Sequence, residues 1–413
     1  MTEPSAAPAP VPFDPDRPLP GPPDPWGWAG KPVDRDGPPW FMTEMIAAEP
    51  AFAQRCLARL ASDGSAARLA AELRTAAANG APVVVVGCGT SEHGAQGVAE
   101  ILADAWCQAG LPGPGPTSVQ AFEAFLGPQA GGLCIAISHE GGTWATMQAV
   151  EAARATGART ALITVSGRAP GAVGIDVVLE TVERDLSYCH TIGYLSPLLA
   201  AAAVGASLTR EPIDGAAVRA VLGAGIAAAG GAVLDERADG AAAHIAAALG
   251  DSPTILVVGS GSDRPAAREL ALKIEEGAWI PAAMRDLETF LHGHLPSTDG
   301  STGLIVILTE RSGRAERIAR TRRALEAAAV IGIRAAAILA EGVAAELPAD
   351  LTPAGRIVVP EAPALPNPVA ALLSSATPLQ LVTERLARAR GTNPDPIRRD
   401  DPVYAGAAAK AES

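Results

Sequence analysis

Lysine is nearly missing from this chain: of 32 basic residues only Lys31, Lys273 and Lys410 are lysines, and all the others are arginine. Basic residues are outnumbered by 45 acidic ones, for a formal charge of −13 and a pI of about 5.0. That balance disfavours a nucleic-acid-binding face. Charged residues amount to only 19 % against 48 % hydrophobic, and the mean hydropathy is +0.20, which excludes wholesale disorder. No run of about 18 apolar residues reads as a membrane span. The first residues, MTEPSAAPAPVPFDPDRP, lack a basic stretch followed by an apolar one, so no secretory signal is expected. The five cysteines are scattered and odd in number, with no CxxC. Reduced thiols in a cytoplasmic protein fit this pattern better than a disulfide framework.

The 413 residues exceed a usual single core, so two domains or one large α/β unit are expected. Residues 1–41 hold 13 of the 36 prolines and read as a disordered or polyproline tail in which Trp26, Trp28 and Trp40 could serve to dock it. A helix should begin near Met42, capped by Thr43, with a second over about 65–79. Strand, polar turn and helix then alternate. The four-valine run before Gly87 is a buried parallel strand, and the pattern recurs at 133–157, 160–166 and 176–181. The second half repeats the first: Val83–Thr90 matches Ile255–Ser262 at an offset of 172, and Leu133–Thr143 matches Leu304–Arg314 at 171. The expected division is a tail at 1–41, helices and a first α/β domain at 42–245, a second at 246–390, and a tail at 391–413. Each domain should be a doubly wound, mainly parallel sheet flanked by helices.

In such sheets ligands sit beyond the carboxyl ends of the strands. Two turns fall there in the first half: Gly87-Cys88-Gly89-Thr90-Ser91 and Ser138-His139-Glu140-Gly141-Gly142-Thr143. Both offer hydroxyls and backbone N–H groups to an anionic or polyhydroxy ligand, or to simple helix capping. A dinucleotide is disfavoured, because the glycines read GxGxxxxG and no acidic residue ends the next strand. With Lys31 and Lys410 assigned to tails, Lys273 is the one lysine expected in the folded body, where arginine is no chemical equivalent. Helical spacing puts it on one face with Glu276, and Glu269 lies on the same stretch. Glu288, His292 and His294 could form a metal site but lack a metal-ligand motif. His93 and His244 read as surface or packing residues.

The two GCGTS- and SxxGGT-type turns together with ALKIEEGAWIPAAMRDLETFLHG (271–293) and RGTNPDPIRRD resemble the tandem SIS (sugar isomerase) family. That family includes the isomerase half of glucosamine-6-phosphate synthase and related sugar-phosphate deaminases and fructosamine deglycases. The resemblance spans about residues 42–400. It implies that Glu276 moves a proton between adjacent sugar carbons, that Lys273 assists beside it, and that His292 opens the sugar ring, often across a dimer. It implies sugar and phosphate contacts from Gly89, Thr90, Ser91, Ser138, His139, Glu140, Gly141 and Thr143, and from Leu186 and Ser187. The chemistry needs a base, an oxyanion partner and a ring-opening acid, with no cofactor and no metal.

Departures from the pattern narrow the reaction. No glutaminase domain is expected from this sequence, so glutamine is not the expected nitrogen donor. Glu140 stands where a second loop serine is usual, and a carboxylate about 4 Å from a phosphate would cost roughly 4 kcal/mol at an effective dielectric of 20. His190 replaces a lysine, and Pro402 falls at another lysine position. The expectation is a cytoplasmic, homodimeric isomerase, deaminase or deglycase acting on an amino sugar, its phosphate or a glycated amine. The alternative is a non-catalytic sugar-binding regulator. Neither membrane nor nucleic acid is an expected partner.

Overall fold

The computed structural model describes residues 12–24, 26, 31–32, 35–231, 233–234 and 239–411. Two helices open the body, α1 (Phe41–Ser62) and α2 (Ser65–Ala78). The first α/β unit follows as β1 (Val83–Gly87), α3 (Thr90–Gln108), β2 (Thr117–Gln120), α4 (Ala121–Leu126), β3 (Leu133–Ile137), α5 (Trp144–Ala155), β4 (Arg159–Thr164) and β5 (Val177–Glu180). Three helices, α6 (Ile192–Thr209), α7 (Gly215–Ala229) and α8 (Ala241–Leu249), lead to the second unit. It comprises β6 (Ile255–Gly259), α9 (Asp263–Lys273), β7 (Ala282–Asp286), α10 (Leu287–Thr289), β8 (Gly303–Leu308), α11 (Arg314–Ile331), β9 (Arg334–Ala340), α12 (Glu341–Ala344) and β10 (Gly355–Val359). Helices α13 (Asn367–Arg390) and α14 (Pro402–Ala411) close the chain.

Each unit has one five-stranded parallel sheet. The first runs β2-β1-β3-β4-β5 and the second β7-β6-β8-β9-β10, the same order. Equivalent registers join them: Val83 faces Leu133, and Ile255 faces Gly303. The Val, Ile, Leu and Ala side chains of β3 and β8 are buried on both faces, which is why these strands read as unbroken apolar runs. A helical layer between the sheets carries most of the core. Helix α6 is long and apolar enough to cross a membrane by composition alone, but here it is buried against α1, α2 and α3. Gly97 of α3 lets α6 approach, since a Cβ there would lie 2.5 Å from Leu198 Cδ2. Helix α13 is buried along almost its whole length and touches α1, α6, α7, α8 and α9.

The ends differ from the expectation of loose tails. Leu19 is buried in the main core, its N–H donates to Glu183 Oε2 at 2.8 Å, and Lys31 is 7 % exposed. A proline-rich segment can thus lie flat on the body, held by backbone and side-chain polar contacts. Trp28 lies outside the described residues. Trp40 is buried immediately before α1. At the other end, Asp395 accepts from Phe41 N and Met42 N at 2.8 and 3.0 Å. It therefore caps α1 from more than 350 positions away. Thr43, expected as the cap, lies inside the first turn, where its Oγ1 accepts from Trp40 N and donates to Glu384.

Candidate active site

Both first-unit turns sit at the carboxyl ends of their strands. After β1, Gly89 adopts φ 57°, a conformation that favours glycine, and α3 starts at Thr90. Gly87 is confined by Ser91, whose carbonyl would lie 2.2 Å from an added Cβ. After β3, Gly141 has φ 64° and Ser138 Oγ lies 3.2 Å from Thr143 Oγ1. His139 is buried, and its Nε2 accepts from Asp185 N at 2.9 Å. That bond leaves the proton on Nδ1, which has no hydrogen-bond partner among the described residues. Burial, opposed by nearby Asp185, pushes the His139 pKa down to about 4, so the ring stays neutral.

The second unit supplies the charged centre. Helix α9 does not continue as a plain α-helix: residues Ile274–Ala278 form a π-turn that ends at Trp279, with φ 57°. This local widening carries Glu276 on to Lys273, whose Nζ is 2.5 Å from Glu276 Oε2 and 3.5 Å from Glu269 Oε1. The Lys273 and Glu269 side chains are 0 % exposed, whereas Glu276 keeps 20 %. Glu269 reaches across to the first unit: Thr90 Oγ1 donates to it at 3.1 Å, and His93 Nδ1 lies 2.7 Å away. The GCGTS turn and the lysine–glutamate pair therefore belong to one polar network. His93, assigned from sequence to surface or packing, is part of it; its place one helical turn after Thr90 was the available signal.

Charge sorting within this network assigns chemical roles. Burial would raise the Glu269 pKa, but Lys273, His93 and Thr90 outweigh it and hold the carboxylate below its ordinary value. Burial raises Glu276, and Lys273 only partly offsets this. Lys273 itself would be lowered by burial, yet Glu276 and Glu269 drive its pKa above the usual lysine value. Glu269 thus stays a fixed anion, Lys273 a fixed cation, and Glu276 is the more basic carboxylate with a route to solvent.

Glu140 does not face open space. Its Oε1 lies 3.3 Å from Lys31 Nζ and 3.5 Å from Arg184 Nε, and all three side chains are largely buried. Lys31 also donates to Asp185 O at 2.9 Å. Lys273 is accordingly not the one lysine of the folded body. Leu186 and Ser187 continue this segment, where Leu186 N points at Met45 Sδ and Ser187 Oγ accepts from Cys189 N. His190 is half-buried, its ring is tilted 57° to that of His139 at 5.8 Å, and it is held well below its ordinary pKa by desolvation and then by Lys31 and Lys273. His292 stands apart from this group: its side chain is 72 % exposed and its Nε2 pairs with Glu288 Oε1 at 2.7 Å. Glu288 in turn pairs with Arg320. Within one chain the structure does not bring His292 to Lys273 and Glu276. A cavity of about 320 Å3 that shares His93 with this network lies beside α9 and β7, lined also by Arg268, Leu272, Glu275 and Met284 among others.

Residues 248–338, in the second of two parallel α/β units of one strand order, match the SIS domain family. The chain is 27 % identical over 382 residues to the isomerizing glutamine–fructose-6-phosphate aminotransferase of Streptomyces coelicolor. That match covers 90 % of this chain and 60 % of the relative, so the chain spans less than two thirds of that protein. The C-terminal domain of glucosamine-fructose-6-phosphate aminotransferase from Francisella tularensis superposes with a TM-score of 0.71 at 18 % identity, over 88 % of this chain and 99 % of that one. Tagatose-6-phosphate ketose/aldose isomerase from Escherichia coli gives 0.64 at 18 %, over 86 % and 95 %. At such identities the structural likeness establishes the fold.

Proposed function

We propose that the protein binds a sugar phosphate or related amino-sugar derivative and moves a proton between the carbonyl carbon and its neighbour. Glu276 is the base. It takes a proton from the carbon next to the carbonyl, the C–H electron pair becomes a carbon–carbon double bond as the carbonyl π pair moves to its oxygen, a proton passes from the neighbouring hydroxyl to that oxygen, and Glu276 returns its proton to the former carbonyl carbon as the neighbouring carbon becomes the new carbonyl. No net oxidation or outside reactant is needed, so aldose and ketose interconvert. Lys273 is wholly buried behind Glu276 and acts as a positioning residue that holds the carboxylate in place. The hydroxyls of Thr90, Ser91, Ser138 and Thr143, with the Nδ1–H of His139, are suited to ligand oxygens.

The observation that carries this reading is the 2.5 Å Lys273–Glu276 contact, in which Glu276, unlike Lys273 and Glu269, retains exposure. The relatives named as aminotransferases and isomerases of six-carbon sugar phosphates support it. With Glu276→Gln, deuterium exchange from solvent into the ligand carbon beside the carbonyl should vanish while ligand binding persists. Exchange at the wild-type rate would refute the role of Glu276.

A second reading, a non-catalytic sugar-responsive protein, draws on one observation: His292 is exposed and paired with Glu288 rather than placed at the lysine–glutamate pair. Ring opening by His292 requires a second chain to deliver it, which is the reason to propose a homodimer. A ligand that binds stably but shows no exchange in the wild-type dimer would favour the regulator.

A further inference from the structure

Glu140 places a negative charge in a turn built for ligand oxygens. Three charged groups meet there: Glu140, Lys31 at 3.3 Å and Arg184 at 3.5 Å, with side chains 11, 2 and 13 % exposed. Lys31 is fixed on three sides, by Glu140, by the carbonyl of Asp185 and by the ring face of Tyr188, 5.7 Å from its centroid. Arg399 covers the same ring at 4.5 Å. The nearby Asp185 carboxylate is engaged by the N–H groups of Ser187, Thr191 and Gly193. Lys31 is brought here by the proline-rich segment, which also donates Leu19 N to Glu183 and accepts from Arg184 N at Pro20 O.

Two cations therefore flank the one carboxylate of Glu140. We propose that Lys31 is a specificity-determining residue: by cancelling Glu140 with Arg184, it makes the 138–143 turn accept an anionic group of the ligand, and the N-terminal segment is therefore a working part of the site. This rests on the sugar-binding reading and adds to it the end of the sugar that is recognised and the residue that recognises it. Glu140 and Lys31 form a matched pair, in which the lysine permits the glutamate at a position that would otherwise repel a phosphate.

Charge counting orders the variants. Lys31→Met removes one positive charge from the cluster, Glu140→Gln removes one negative charge, and the double variant has the net charge of the wild type. The experiment is isothermal titration of fructose 6-phosphate, glucosamine 6-phosphate and their unphosphorylated parents into all four full-length proteins at two salt concentrations. The expected preference for the phosphorylated sugar is highest in Glu140→Gln, similar in wild type and double variant, and at least about tenfold lower in Lys31→Met. Added salt should narrow the differences. The double variant guards against a folding defect, because it lacks the same lysine yet should bind like the wild type. Failure of the double variant to restore the preference assigns Lys31 a purely structural role and overturns the inference. A wild type that binds phosphorylated and plain sugars equally overturns the inference while leaving sugar binding intact. No binding of any of the four sugars overturns both.

Discussion

Replacing Lys273 with methionine keeps most of the side-chain volume but removes the ammonium that two carboxylates share. Nζ lies 2.5 Å from Glu276 and 3.5 Å from Glu269, and neither Lys273 nor Glu269 has any side-chain exposure, so solvent screens little. Removing one partner of a buried pair costs about 3–5 kcal/mol. The lower end applies here, because Glu276 keeps 20 % exposure and Glu269 retains Thr90 and His93 as partners. The assay is urea unfolding followed by tryptophan fluorescence at pH 7.5 and 5.5. Without the ammonium, burial, which raises the pKa of both carboxyl groups, loses its strongest opposing influence. Such groups favour the folded state below the unfolded pKa and lose that contribution as pH rises through the folded pKa. The deficit of Lys273→Met should therefore be larger at pH 7.5 than at 5.5, and adding Glu276→Gln should recover part of it. A change within about 0.5 kcal/mol of wild type at pH 7.5, as for an ordinary surface substitution, would refute the reasoning. So would a deficit that grows on acidification.

Three further outcomes are expected. Glu49 is fully buried between α1 and α13 and its pKa is pushed up to about 8 by burial, with a hydrogen bond from Gln380 opposing. Its contribution is complete below pH ~4.5 and lost as pH rises through about 8, so wild type should lose roughly 3–5 kcal/mol relative to Glu49→Gln over that window, measured as urea midpoints. Gly97→Ala should destabilise by about 1–3 kcal/mol, since its Cβ would meet Leu198 and Leu372 in the helical core; a neutral melting temperature would contradict this packing. Asp395→Ala should cost about 1–2 kcal/mol by uncapping α1, read from thermal unfolding, whereas a substitution in the exposed part of α14 such as Val403→Ala should not.

The architecture was legible because buried parallel strands announce themselves. The valines of β1 and the ILVV of β6 are apolar on both faces, and their constant offset exposed the equivalent strand orders. Lys273 and Glu276 were legible for a different reason, a lysine kept in a chain that otherwise uses arginine. Long-range polar partners were not legible. Lys31 sits among prolines, where sequence suggests disorder, and only its position 154 residues from Asp185 in the chain but 2.9 Å in space reveals its role. Asp395 likewise reads as part of a polar tail until its carboxylate is found on α1. The π-turn after Lys273 obeys no periodic signal, since an α-helical repeat already places residues three apart on one face. His292 shows the converse: its motif suggested a site role, while its local partner is Glu288.

The central claim is that Glu276 faces a sugar held by the turns of the first unit. A crystal structure of Glu276→Gln with the tightest-binding member of the sugar panel tests it most directly. The account predicts the carbonyl carbon and its neighbour within about 3.5 Å of the residue-276 side chain, with ligand oxygens on Thr90, Ser138 and Thr143. A sugar lodged instead in the cavity beside Arg268 and Met284, with residue 276 out of reach, would contradict it.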